Sequence, residues 1–213
     1  MISIDTDTYK LDSDNLKKRQ TPIKRIVMVN SYNYGMNHFH GWQKRNCGSY
    51  DKVTHFTVGK TGDIYQHVDT EYTTKMFGNR FDEGTIFVTL ENIGFLRLKI
   101  DDGNLVNWLN DIHTEDDITY KKWRGYEFWD NYTKEQFNAV SDLVRYLCNR
   151  FDIPAKAVGH GIKIENAKTF EGVMYRSNFD KGYLDLSASW NFGEFKKIIE
   201  EKTEENEIID FKS

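Results

Sequence analysis

The chain has 213 residues, of which 38% are hydrophobic and 15% aromatic, and 29 Lys and Arg against 33 Asp and Glu give a net charge of −4. That length supports one sizeable domain whose core is filled by rings more than by aliphatic chains. The charge balance offers no basic field for nucleic acid, no apolar run is long enough to span a membrane, and two cysteines, Cys47 and Cys148, make no disulfide framework.

Residues 1–22 read as a flexible polar N-terminal arm ending at Pro22. The arm has no apolar h-region, so the expectation is cytoplasmic synthesis without a signal peptide. RIVMVNSY, 25–32, is apolar and rich in β-formers, which predicts a buried strand. Residues 36–45 predict a short helix carrying Trp42. His38 and His40, set in this polar Gly-rich segment, read as surface residues rather than as metal ligands. VTHFTVGKTGDIYQHV, 53–68, predicts two strands joined by a turn at Lys60-Thr61-Gly62-Asp63. Gly59-Lys60-Thr61 is not a phosphate loop, because the glycine-rich run that must precede it is missing.

Residues 70–83 read as a loop, and TIFVTLE, 85–91, as another buried strand. Residues 92–131 read as an insertion packing over the core or the groove, with helical apolar spacing in LVNWLNDI at 105–112. Its aromatic residues, with Trp108, Trp123 and Trp129 among them, are candidates for a sugar-stacking platform. Core packing is the stronger reading of such a cluster. Residues 133–152 predict the best helix, with Thr133 as N-cap, Gln136 completing a capping box, and one stripe of Phe137, Val140, Leu143, Val144 and Leu147. Cys148 falls in the same pattern as a buried thiol. Pro154 ends that helix, a short strand at 156–160 carries His160 at its end, and a last helix spans 191–202 on Phe192, Phe195 and Ile198. Residues 201–213 form a charged tail expected to fray. The alternation of strands and helices predicts a single α/β domain over 23–200, with a mixed central sheet flanked by helices.

The 53–68 segment, read with Val158-Gly159-His160, resembles the zinc-dependent N-acetylmuramoyl-L-alanine amidases, a family that includes the peptidoglycan recognition proteins and amidase-type phage lysozymes. The resemblance covers about residues 25–200, and is weakest over 92–131 and after 161. It implies a hydrolytic zinc held by three protein ligands, with a bound water activated as nucleophile. The first ligand position falls at Asn30, where the family places His; an amide offers only a neutral carbonyl oxygen. The second falls at His160. For the third, Lys168-Thr169-Phe170-Glu171-Gly172 competes with Asp185-Leu186-Ser187-Ala188-Ser189-Trp190, and Asp185 is preferred because it leads straight into the last helix.

The family's other catalytic positions are also altered. Thr54 stands where phage amidases often place Tyr, and Thr89 where they place an acidic base. Glu91, two residues on, is the candidate replacement carboxylate. Lys168 or Arg176 is the candidate cation for an oxyanion. What the resemblance implies is a peptidoglycan- or muropeptide-directed protein, cutting the muramoyl–alanine amide if zinc is bound. The alternatives are a non-catalytic wall-binding or virion-type structural module derived from an amidase, and an unrelated regulatory domain on the same fold. A virion-associated protein, or one released to the wall, fits the missing signal. Oligomeric state is left open.

Overall fold

A computed structural model describes residues 2–44, 52–101, 103–179, 182–183, 186–201 and 210–212. In chain order its elements are β1 (Ser3–Asp5), β2 (Lys17–Lys18), β3 (Arg25–Asn30), α1 (Asn37–Lys44), β4 (Phe56–Val58), β5 (Ile64–Gln66), β6 (Tyr72–Thr73), α2 (Asn79–Asp82), β7 (Thr85–Leu90) and β8 (Phe95–Leu98). There follow β9 (Leu105–Val106), β10 (Ile112–His113), β11 (Ile118–Trp123), β12 (Tyr126–Asp130), α3 (Lys134–Phe151), β13 (Gly172–Tyr175), α4 (Phe192–Glu200) and β14 (Asp210–Lys212).

Among the described residues the main sheet runs β13-β3-β7-β4-β5-β1-β14. The β13–β3, β3–β7 and β7–β4 pairs are parallel, while β4 and β5 form the antiparallel hairpin read from the sequence, so the sheet is mixed. Alternation along β3 explains its continuous burial. Ile26 and Met28 face α3 and α4, against Val140, Leu143, Leu147 and Phe195. Val27 and Val29 face the other way, onto Phe87, Met174 and a set of phenylalanines from α2 and nearby loops. Alpha-helix α1 covers the β4–β5 end of that second face, with Phe39 and Trp42 on Val53 and Val68.

Helix α3 starts as its sequence indicates, with the Thr133 hydroxyl accepting from Gln136 N. The reciprocal half of the capping box is not made. Gln136 is fully buried and its Nε2 donates instead to the carbonyls of Val58 at 3.0 Å and Glu91 at 2.8 Å, tying the helix to the ends of β4 and β7. Cys148 is buried and its thiol is pushed up to about 12 by burial; Cys47 lies outside the described residues.

Three local expectations change. The N-terminal segment is not a loose arm. Ile4 is 1% exposed, β1 pairs with β5, and the Arg19 guanidinium donates to the carbonyls of Thr70, Tyr72, Asp82, Glu83 and Thr85. Within 105–112 the helical spacing gives way to β9 and β10, because buried Asn107 turns the chain by accepting from Leu109 N and Asp111 N. The strand at 156–160 reduces to one bridge, Ala157 to Val173. Of the tail, 210–212 pairs with β1 and 202–209 lie outside the described residues.

Residues 95–130 form a second, antiparallel sheet in the order β10-β9-β8-β12-β11. Trp129 is its fully buried anchor. Asp130, at the end of β12, bonds Lys60 Nζ at 2.8 Å and Ile93 N at 3.1 Å, fixing the small sheet to the turn after β4.

Candidate functional site

The ends of β3 and β7, α1, and the chain after β13 enclose a cleft of about 500 Å³. Asn30, His38, Trp42, Thr54, Thr89 and Arg176 are among its lining residues. Asn30 ends β3, is 8% exposed, and has no hydrogen-bond partner for either side-chain polar atom. Close by, Gly94 sits at φ +88°, and a Cβ there would come within 2.7 Å of the Tyr32 ring and 3.8 Å of Asn30 Nδ2. Only glycine fits that approach.

Thr54 and Thr89 are both buried and bond each other, hydroxyl to hydroxyl, at 2.8 Å. His38 lies on α1 in edge contact with Trp42 four residues on, and its Nε2 is 3.1 Å from Thr57 Oγ1. Burial lowers its pKa to about 4, helped by the charge of His40, so its ring is neutral. The sequence reading of His38 as a surface residue fails on this point; the i, i+4 spacing with Trp42 was the signal that His38 faces inward. His40 is exposed, as read.

His160 stands on the loop after α3, packed among Trp123, Tyr175 and Phe192 at centroid distances of 5.8, 5.7 and 6.3 Å. Burial lowers its pKa to about 4, with Lys121 and Arg124 adding to the shift. Two neighbours hold its loop. Asn178, fully buried, donates to the carbonyls of Gly159 and Ile162, both at 2.8 Å. Gly161, at φ +76°, lies where a Cβ would meet Trp123 at 3.0 Å. Sequence reasoning did not single out Asn178, a residue whose role is visible only through the carbonyls it bonds.

The other candidates lie as follows. Asp185 is outside the described residues. Phe170, the competing position, packs beside Val27 and Ala167 on the face away from α3. Lys168 is exposed, and its carbonyl accepts from Arg25 at the start of β3, the end opposite Asn30. Arg176 does line the cleft, with its guanidinium 4.3 Å over the Tyr183 ring. Glu91 follows β7, and its carboxylate accepts from Gly35 N at 2.5 Å and Lys60 N at 3.3 Å, bracing two loops. Of the aromatic residues, Trp129 is core and Trp108 is 43% exposed with its indole N–H on the Tyr32 carbonyl.

The donors among the described residues, which do not include Asp185, fit zinc poorly. Among the described residues no group of three His, Cys, Asp or Glu side chains is placed to hold a metal ion. Where the resemblance puts the first ligand, Asn30 offers a neutral amide oxygen, which is a weak ligand for zinc beside imidazole or thiolate.

The profile of the family described as N-acetylmuramoyl-L-alanine amidase matches residues 19–172, well over half of the chain, and the chain belongs to that family. Solved structures share the fold at low identity. The N-acetylmuramoyl-L-alanine amidase LysC from Clostridium intestinale URNW is 15% identical with a TM-score of 0.55, over 93% of this chain and 98% of that one. The Ph2119 endolysin from the Thermus scotoductus MAT2119 bacteriophage Ph2119 is 10% identical with a TM-score of 0.52, over 93% and 99%. Staphylococcus aureus hydrolase AmiA in complex with its ligand is 15% identical with a TM-score of 0.51, over 94% and 82%. No curated protein sequence matches. No helix among the described residues is long and apolar enough to cross a membrane.

Proposed function

We propose that this chain is a peptidoglycan-directed member of the amidase family that binds muropeptide at the β3–β7 cleft without hydrolysing it. Family membership supplies the ligand class. The observation that carries the non-hydrolytic reading is Asn30, a buried amide with both polar atoms unpartnered where the resemblance implies a zinc-binding imidazole. The Thr54–Thr89 pair supports it, since both hydroxyl protons are spent, on Thr54 and on the Phe56 carbonyl, leaving neither an ionisable base nor a free oxyanion donor.

The competing reading is a zinc-dependent amidase with His160, Asp185 and Asn30 on the metal and Glu91, Lys168 and Thr54 in catalysis. The neutral His160 ring favours it, because it keeps a nitrogen lone pair available. Co-sedimentation with insoluble peptidoglycan, followed by assay of the supernatant, separates the two. Retention on the wall with no liberated stem peptide is expected. No retention contradicts the wall reading, and liberated stem peptide contradicts the non-hydrolytic one.

A further inference from the structure

The walls of the cleft concentrate unmet hydrogen-bonding capacity. Among the described residues seven buried side-chain polar atoms lack a partner, and four of them, Asn30 Nδ2 and Oδ1, His38 Nδ1 and Arg176 Nε, belong to residues lining this one cleft. Buried polar atoms are nearly always paired, so such clustering marks a place completed by a ligand or by water.

The protonation of His38 follows from its neighbours. The Tyr9 carbonyl only accepts, so His67 Nδ1, 2.8 Å away, carries the proton. His67 is fully buried, and burial lowers its pKa to about 3, so its ring is neutral and Nε2 is a bare acceptor. The Thr57 hydroxyl, 2.8 Å from that nitrogen, therefore donates to it. Its one proton is then used, so it accepts from His38 Nε2 at 3.1 Å. In a neutral ring this leaves His38 Nδ1 as a lone pair with no proton, fixed by a relay that ends in the backbone of Tyr9.

We propose that His38 is a specificity-determining acceptor of this cleft, requiring from the ligand an uncharged N–H or O–H donor of the kind an amide carries. Asn30 adds an acceptor and a donor, and Arg176 Nε adds a second donor. Two acceptors and two donors match the alternating N–H and C=O groups of consecutive amides. A bare carboxylate is excluded from the His38 position, because it brings only lone pairs to a lone pair. Among the described residues the charged side chains lining the cleft are those of Arg176 and Lys52, which disfavour a cationic group. The inference deepens the binding reading above and rests on it only for the identity of the natural ligand.

The test uses acetamide, N-methylacetamide and N,N-dimethylacetamide, which carry two, one and no N–H donors, titrated against the ¹⁵N-labelled full chain. Acetamide and N-methylacetamide are expected to perturb resonances lining the cleft and to shift the His38 Nδ1 signal. The dimethyl compound should bind at least about tenfold more weakly, the effect of one lost hydrogen bond to a desolvated partner. His38→Phe should level the three. The tautomer is read independently from the wild-type side-chain ¹⁵N spectrum, so the proposal stays testable should the variant misfold. A proton found on His38 Nδ1, equal affinity for all three compounds, or no binding of any of them overturns it, the last meaning that water alone fills the cleft. A chain that discriminates among the amides yet ignores muropeptide upholds this inference and refutes the wall reading.

Discussion

Thr54 and Thr89 share one hydrogen bond of 2.8 Å, and its direction is fixed by a second. Thr54 Oγ1 donates to the Phe56 carbonyl at 3.2 Å, which uses its only proton, so Thr89 donates to Thr54. The pair is therefore asymmetric. Thr54→Val removes the acceptor of Thr89 and the donor to Phe56, and should cost about 1–3 kcal/mol. Thr89→Val leaves the Thr54 proton placed and should cost about 0.5–1.5 kcal/mol. Urea unfolding of the two single variants checks the order; a costlier Thr89→Val reverses the assignment.

Gln136 reaches across from α3 to two strand-end carbonyls, at 3.0 and 2.8 Å, with no solvent access. Gln136→Leu keeps the volume and strands the Glu91 carbonyl, while the Val58 carbonyl keeps its bond from Glu91 N at 3.0 Å. It should lower stability by about 1–3 kcal/mol for the carbonyl left unpaired, with little change in the denaturant slope. An unchanged midpoint would show that water replaces the amide.

Four histidines fold with depressed pKa values, each mainly through burial: His38 and His160 to about 4, His55 and His67 to about 3. The ordinary imidazole value is 6.5, so below that pH the unfolded chain takes up protons that the folded chain refuses. Stability is full above pH 6.5 and falls as the pH drops towards 4. By pH 5 each fully buried ring, His55 and His67, should cost about 2 kcal/mol. Thermal midpoints at pH 7.5, 6 and 5 should decline steadily, and a flat profile would contradict the burial of these rings.

The strands and the long helix were legible because their apolar periods are strong: β3, β7 and α3 lie within a residue or two of where the pattern puts them, and the β4–β5 hairpin falls inside 53–68 with β4 starting three residues late. Long-range polar contacts were not. The N-terminal segment looks disposable by composition, yet Arg19 ties it to five carbonyls. Asn107 overrides an apolar spacing that otherwise reads as helix. At the site, Asn30 and Thr54 come to the cleft and Lys168 goes to the other end of β3, since register alone decides which end a loop residue meets. His38 was hidden because a histidine on a polar helix shows its inward face only through Thr57 and Trp42.

Asn30→His places an imidazole where the resemblance puts the first ligand and should raise zinc affinity over wild type, read by competition with a chromogenic chelator. Stem-peptide release should stay at background, because metal binding does not supply a base at Thr89 or a donor at Thr54. A variant that gains no zinc would show that the cleft no longer converges on a metal position, and one that releases peptide would show that the two threonines are not the limit.

Binding without hydrolysis is tested most directly by one titration. A defined soluble muropeptide is titrated calorimetrically into the wild-type chain with and without stoichiometric zinc, and the recovered ligand is examined by mass spectrometry. The predicted result is saturable binding, unchanged by zinc, with the muropeptide recovered intact. Zinc-dependent appearance of the free stem peptide would contradict the account.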